Sequence, residues 1–104
     1  MRRTHALVSV AVALMNDVDG QHWGYALSRS ARVRSGVLYP ILHRMLDQGW
    51  LADGWEPNGD RKRPPRRYYT VTESGRRELG QLLDEAALQP RFVGVPGLIN
   101  GAAS

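Results

Sequence analysis

From Gly24 to Thr72 the chain passes through two short helical patterns joined by a turn, then through two strand-like segments separated by a run of cations, an order that leaves few folds open. The second helical pattern is the stronger one. Leu38, Ile41, Leu42, Met45 and Leu46 fall at i, i+3, i+4, i+7 and i+8, the spacing of a single buried stripe. Ser35 stands where its hydroxyl can accept a backbone N–H two or three residues on, which predicts the N-cap, and Gly49 is the expected stop. The first pattern predicts a helix from His22 to about Ser30 with Tyr25, Ala26 and Leu27 contributing to its inner side, and Ala31 to Arg34 as the turn. Trp50 to Glu56 and Arg67 to Thr72 are rich in aromatic and β-branched residues and flank an Asn58-Gly59 turn signal, so they predict a β-hairpin.

The flanking segments complete a small domain. Leu7, Val10, Ala11 and Leu14 share one helical face, which predicts a first core helix over Thr4 to Asp17 with Thr4 as its N-cap. Arg2-Arg3 followed by the apolar run Ala6 to Met15 imitates a secretory signal. The imitation fails because the cleavage-like Ala11-Val12-Ala13 lies inside the apolar run, and the run is too short to span a bilayer. Thr72 is expected to cap a fourth helix with Leu79, Leu82, Leu83 and Ala86 as its apolar stripe, stopped by Gln89-Pro90. The expected fold is mainly α with a small β-hairpin, a winged helix-turn-helix over residues 1–88. Residues 89–104, Gly-rich with scattered Phe92, Val93, Val95, Leu98 and Ile99, are expected to be a disordered tail or an arm that packs on a partner. A chain of 104 residues supports one modest core but no deep cleft with a separate lid.

Charge directs attention to one surface. The formal net charge is +4, and Arg supplies all but one of the 14 basic residues. Arg presents a planar fork that matches phosphate and guanine edges, although a general codon preference for Arg accounts for the excess equally well. With the apolar stripe of the third helix turned inward, Gly36, Pro40, His43, Arg44 and Asp47 face outward with Tyr39 on the flank. Pro40 removes one helical hydrogen bond and presses on the carbonyl of Gly36, where the missing side chain leaves the first turn free to adjust. His43 and Arg44 can meet base edges or phosphates, whereas a lone Arg on a helix face is more often merely solvated. The hairpin loop carries Arg61, Lys62, Arg63, Arg66 and Arg67 with no acid among them, and Pro64-Pro65 stiffens it. Such a run beside an Arg-bearing helix points to a wing that grips duplex DNA. Trp50, Trp55, Tyr68 and Tyr69 could stack on single-stranded bases, but aromatics on paired strands more often pack the hairpin.

Other chemistries find no footing in these residues. His5, His22 and His43 are not spaced as metal ligands, and neither a Gly-x-Ser-x-Gly elbow nor a phosphate-cradling Gly loop is present, so no enzyme, metal or cofactor is expected. The absence of Cys fits a cytoplasmic protein, and no membrane association is expected.

Gly24-Tyr25-Ala26-Leu27, the run Ser35-Gly36-Val37-Leu38-Tyr39-Pro40-Ile41-Leu42-His43-Arg44-Met45, Gly49-Trp50-Leu51, and Arg67-Tyr68-Tyr69-Thr70-Val71-Thr72-Glu73-Ser74-Gly75 closely resemble the PadR family of winged-helix transcriptional regulators, over roughly Thr4 to Leu83. The resemblance implies a homodimer that binds double-stranded DNA and represses transcription from a pseudo-palindromic operator. It places Arg34, Ser35, Tyr39, Pro40, His43 and Arg44 in or beside the recognition helix, Tyr25 near phosphate, and Arg61, Lys62, Arg63, Arg66 and Arg67 in the wing. Members of the family usually continue into a longer C-terminal helix that builds the dimer and often an effector pocket. Here Gln89-Pro90 breaks that pattern, and nothing in these residues supports a small-molecule effector. The competing expectation is a winged-helix protein-interaction module whose Tyr39 and His43 face binds a protein, without sequence-specific DNA binding.

Overall fold

Thr4 ends the extended N-terminus because its hydroxyl accepts the Leu7 N–H at 3.1 Å, which opens helix α1 (His5–Met15). The computed structural model describes residues 1–57 and 64–98. The predicted stripe of α1 is buried, and so are Val8 and Val12, so this helix lies at the centre of the molecule with α2, α3 and α4 all packed on it. It stops two residues short of the predicted Asp17, and a turn carries the chain into a two-residue strand β1 (His22–Trp23). His22 is buried with its Nε2 2.8 Å from the Asp17 carbonyl, a contact that ties the turn to the strand.

Helix α2 (Gly24–Ala31) begins two residues later than predicted because His22 and Trp23 pair with Tyr69 and Tyr68 as an edge of the sheet. Its inner side is carried by Gly24, Leu27 and Ala31. Tyr25 points outward, correcting the expectation that it belongs to the core side. Arg32 closes α2 in the left-handed region at φ 56°, and the Ser28 hydroxyl donates to the Val33 carbonyl at 2.6 Å, so the turn into the next helix is held by side chain as well as backbone.

Helix α3 (Ser35–Asp47) is capped by Arg34 and not by Ser35. The Arg34 carbonyl accepts from Val37 and Leu38 at 2.9 and 2.8 Å, which makes Ser35 the first helical residue and leaves its hydroxyl without a capping role. Leu38, Ile41, Leu42 and Met45 are buried as predicted and Leu46 is half-buried. At the far end Gly49 adopts φ 77°, with its N–H on the Leu46 carbonyl and the Trp50 N–H on the Met45 carbonyl. That paired return of donors onto the last turn needs a left-handed residue, and Gly supplies it without a Cβ clash.

Strands β2 (Leu51–Trp55) and β3 (Arg67–Val71) form the expected hairpin, with Asp53 opposite Tyr69 and Trp55 opposite Arg67. The sheet has three strands in the order β1-β3-β2, so β3 is central and bonds the hairpin to the segment that leads into α2. Helix α4 (Glu73–Ala86) is capped by Thr72, whose hydroxyl accepts the Gly75 N–H at 2.9 Å, and buries Gly75, Leu79, Leu82 and Ala86.

The chain then departs from the tail or arm expected after residue 88. A 3₁₀ turn at Pro90–Phe92 folds it back on its own domain. Phe92 is fully buried with its ring 5.3 Å from that of His5, and Val95 is buried beside it. Burying a Phe side chain contributes about 1.5–3 kcal/mol towards holding this segment on the domain. Arg3 and Glu85 pair at 2.7 Å across the same end of the molecule. Among the described residues no helix is long and apolar enough to cross a membrane, and no group of His, Asp and Glu is placed to hold a metal ion.

Candidate nucleic-acid interface

The outer face of α3 is built by the same periodicity that fills the core. With Leu38, Ile41, Leu42 and Met45 turned inward, Ser35, Gly36, Tyr39, Pro40, His43, Arg44 and Asp47 are all exposed. Arg34 lies exposed at its N-terminal end, where the free N–H groups of the first turn also point. Asp47 is the one carboxylate on this face, and it sits at the C-terminal end, leaving the first three turns to Arg34, His43, Arg44 and hydroxyl groups. A Cβ placed at Gly36 meets nothing within 4 Å, so the first turn is open around the backbone that Pro40 crowds.

Beside that face lies a cleft of about 260 Å³ between the start of α2, the side of α3 and the base of the hairpin. Tyr39 reaches from α3 towards Gly24, the first residue of α2, so closely that a Cβ there would stand 2.3 Å from the Tyr39 hydroxyl. The missing side chain of Gly24 is therefore the seat of this tyrosine. Tyr25, one residue on, is 55% exposed, and the Arg66 guanidinium lies 5.6 Å from its ring centroid. The start of α2, Tyr25, Tyr39 and Arg66 thus line one concave spot, and a helix N-terminus beside a cation favours negative charge.

Arg67 behaves differently from Arg66, although both were grouped in the wing by sequence. Its Nε and Nη2 converge on Asp53 Oδ2 at 2.8 and 2.5 Å, and its guanidinium lies 5.2 Å from the centroid of the Tyr69 ring. Tyr69 belongs to the core and is 2% exposed. Burial pushes its phenol pKa up, a rise that the nearby Arg67 charge partly opposes. Tyr68 packs against Trp23 at 6.1 Å and closes over Gly54, where a Cβ would meet its ring. Of the four aromatics that could have stacked on bases, Trp50 is half-buried and Trp55 alone is strongly exposed, at 62%. The hairpin aromatics mostly build the wing's attachment to the domain.

Arg34, Ser35, Tyr39, Pro40, His43 and Arg44 therefore lie on one continuous surface with Tyr25 and Arg66, while Arg67 borders it in an ion pair. Arg61, Lys62 and Arg63, like the Asn58-Gly59 turn, lie outside the described residues. Sequence reasoning missed Trp23, Gly24 and Asp53. Gly24 was marked only as part of a family motif, and each of the three acquires its role from a residue at least 14 positions away.

The transcriptional regulator PadR-like family matches residues 18–81. No curated protein matches the chain. Among solved structures, the chain is similar to a PadR family transcriptional regulator from Eggerthella lenta DSM 2243, at 29% identity and a TM-score of 0.59 over 71% of this chain and 68% of that one. It is similar to smu.1704 from Streptococcus mutans UA159, at 27% identity and a TM-score of 0.64 over 77% and 76%. It also shares its fold with Bacillus subtilis PadR, seen in complex with operator DNA, at 22% identity and a TM-score of 0.61 over 74% of this chain and 46% of that longer one.

Proposed function

The chain belongs to the PadR-like family of transcriptional regulators, and from that premise we propose that it acts in the cytoplasm as a homodimeric repressor that binds a pseudo-palindromic operator in duplex DNA. The observation that carries the reading is the exposed face of α3, which offers Arg34, Ser35, Tyr39, His43 and Arg44 beside the concave spot formed by the start of α2, Tyr25 and Arg66. That the same fold is seen with operator DNA in the Bacillus subtilis relative supports it.

In this mechanism α3 enters the major groove, and Arg44 and His43 meet base edges while Arg34 and Ser35 sit at the helix start near the backbone. Arg forks onto guanine O6 and N7, the commonest specific contact in that groove. The concave spot takes a backbone phosphate, which receives hydrogen bonds from Tyr25 and Tyr39 and charge from Arg66. Phosphate contacts position the protein without reading sequence. The wing loop with Arg61, Lys62 and Arg63 adds charge against the neighbouring backbone or minor groove. Two protomers related by a two-fold axis present their α3 helices one DNA turn apart, about 34–36 Å. Occupying a promoter in this way excludes polymerase.

The test is a selection of genomic fragments by the purified protein, followed by a salt titration on the recovered duplex. An inverted repeat with half-sites one turn apart is expected. Affinity should fall on the order of a thousandfold or more between 50 and 200 mM salt if a dimer neutralises about 6–10 phosphates. Arg44→Ala should change the preferred sequence, and Arg66→Ala should weaken all duplexes alike. A flat salt response rejects the reading.

A further inference from the structure

Arg66 and Arg67 are neighbours in sequence and opposites in circumstance. Arg67 is the first residue of β3 and Arg66 the one before it; both line the cleft, yet their guanidinium groups settle on different partners. Arg66 is exposed, lies over the Tyr25 ring, and has no carboxylate partner among the described residues. Arg67 shares its face with Tyr69, two residues on, and Asp53 stands directly across the ladder from Tyr69. A long side chain reaches such a diagonal neighbour, and Arg67 does so with two nitrogens on one Asp53 oxygen. The guanidinium is thus flanked by an aromatic face and a carboxylate. It borders the cleft proposed to take phosphate, and its charge is already matched.

We propose that Asp53 is a positioning residue of the DNA face, holding Arg67 against Tyr69 and so withholding one positive charge per protomer from the phosphate backbone. This rests on the DNA-binding reading and adds to it a residue that lowers affinity. An arginine that contacts phosphate must leave Asp53, and the bare carboxylate then faces the same backbone. Asp53 therefore sets how tightly the protein holds DNA of any sequence, independently of the residues on α3 that read bases.

The experiment is a salt titration of random-sequence duplex with the full chain and with Asp53→Asn, which keeps the size of the side chain and removes its charge. The exchange should release one further cation contact per protomer, steepening the slope of log K against log salt by about 0.9 for each protomer bound, about 1.8 for a dimer, and tightening binding about eightfold per protomer at 100 mM salt. Asp84→Asn, the same change of charge on α4, should leave the slope where it was. In an Arg67→Ala background, Asp53→Asn should gain less than in the wild-type background, because it relieves only the repulsion of the bare carboxylate and frees no arginine. An unchanged slope in Asp53→Asn, or an equal gain with Arg67 already removed, overturns the positioning role while leaving DNA binding intact. Absence of salt-dependent binding to any duplex by the wild-type chain overturns the DNA reading itself, and this proposal with it.

Discussion

Replacing Gly75 by Ala should destabilise the protein, although Ala is the better helix former and the site lies inside α4. A Cβ at Gly75 would stand 1.9 Å from the Trp50 carbonyl oxygen and 2.7 Å from its carbon, both backbone atoms that no rotamer change can clear. The helix start must move away. That movement loosens the Thr72 N–H bond to the same Trp50 carbonyl at 3.0 Å, the Thr72 hydroxyl bond to Gly49 at 2.6 Å and the cap bond to Gly75 itself. Helix propensity favours Ala by about 0.8–1 kcal/mol. Overpacking costs about 1–3 kcal/mol, and a lost cap about 1 kcal/mol more. The balance is a loss of about 2 kcal/mol, or about 8 °C in Tm for a domain of this size. Gly80 supplies the control, because it lies in the same helix and a Cβ there meets nothing within 4 Å. Gly80→Ala should stabilise by about 0.5–1 kcal/mol, the propensity gain alone. Urea midpoints and thermal melts followed by circular dichroism at 222 nm compare the two variants directly. If Gly75→Ala melts at or above the wild-type temperature, the close approach of α4 to Trp50 is not a feature of the protein and the reasoning fails.

Three further outcomes follow from the geometry. Gly49→Ala should cost about 1–2 kcal/mol, because a Cβ is disfavoured in the left-handed region; an unchanged urea midpoint would contradict the φ of 77°. Phe92→Ala should cost about 3–5 kcal/mol, and a cost below about 1 kcal/mol would show that residues 90–98 are not part of the core. The Arg3 hydrogen bond, followed by that of Gln81, holds the Glu85 carboxyl below its usual pKa. The stability this contributes is fully present above the unfolded carboxylate pKa and lost as pH falls through the folded value, so the stability gap between wild type and Arg3→Ala should narrow towards pH 3. Urea titrations at a series of pH values read that gap, and one that stays constant from pH 7 to pH 3 refutes the coupling.

The helices were legible because each announces itself locally. Thr4 and Thr72 are caps whose partners lie three residues on, and the stripes of α3 and α4 repeat within a few turns. The outer face of α3 came with its stripe, since burying Leu38 and Met45 fixes where His43 and Arg44 point. What stayed hidden depends on partners distant in sequence. His22-Trp23 has no periodicity of its own and becomes a strand only because β3 offers it an edge. Ser35 looks like a cap, yet the backbone enters the helix one residue earlier at Arg34, a choice set by the turn through Arg32 and Val33. Arg67 was indistinguishable from Arg66 until Asp53 was brought across the ladder. Phe92 lies in a stretch without helical or strand periodicity, and its burial beside His5 depends on a site that α1 supplies from the other end of the chain.

The central place of β3 also separates two things that could otherwise vary only together. Its ladder to β2 runs from Leu51 paired with Val71 to Trp55 paired with Arg67, and its ladder to β1 fixes it to the entrance of α2. Register is thus fixed on both sides of β3, whatever the length of the connection between the hairpin strands. That connection can lengthen or shorten at small entropic cost, about 0.6 kcal/mol for each doubling, without disturbing the sheet or the pose of α3. The reach of the wing and the aim of α3 are therefore independent variables in this architecture.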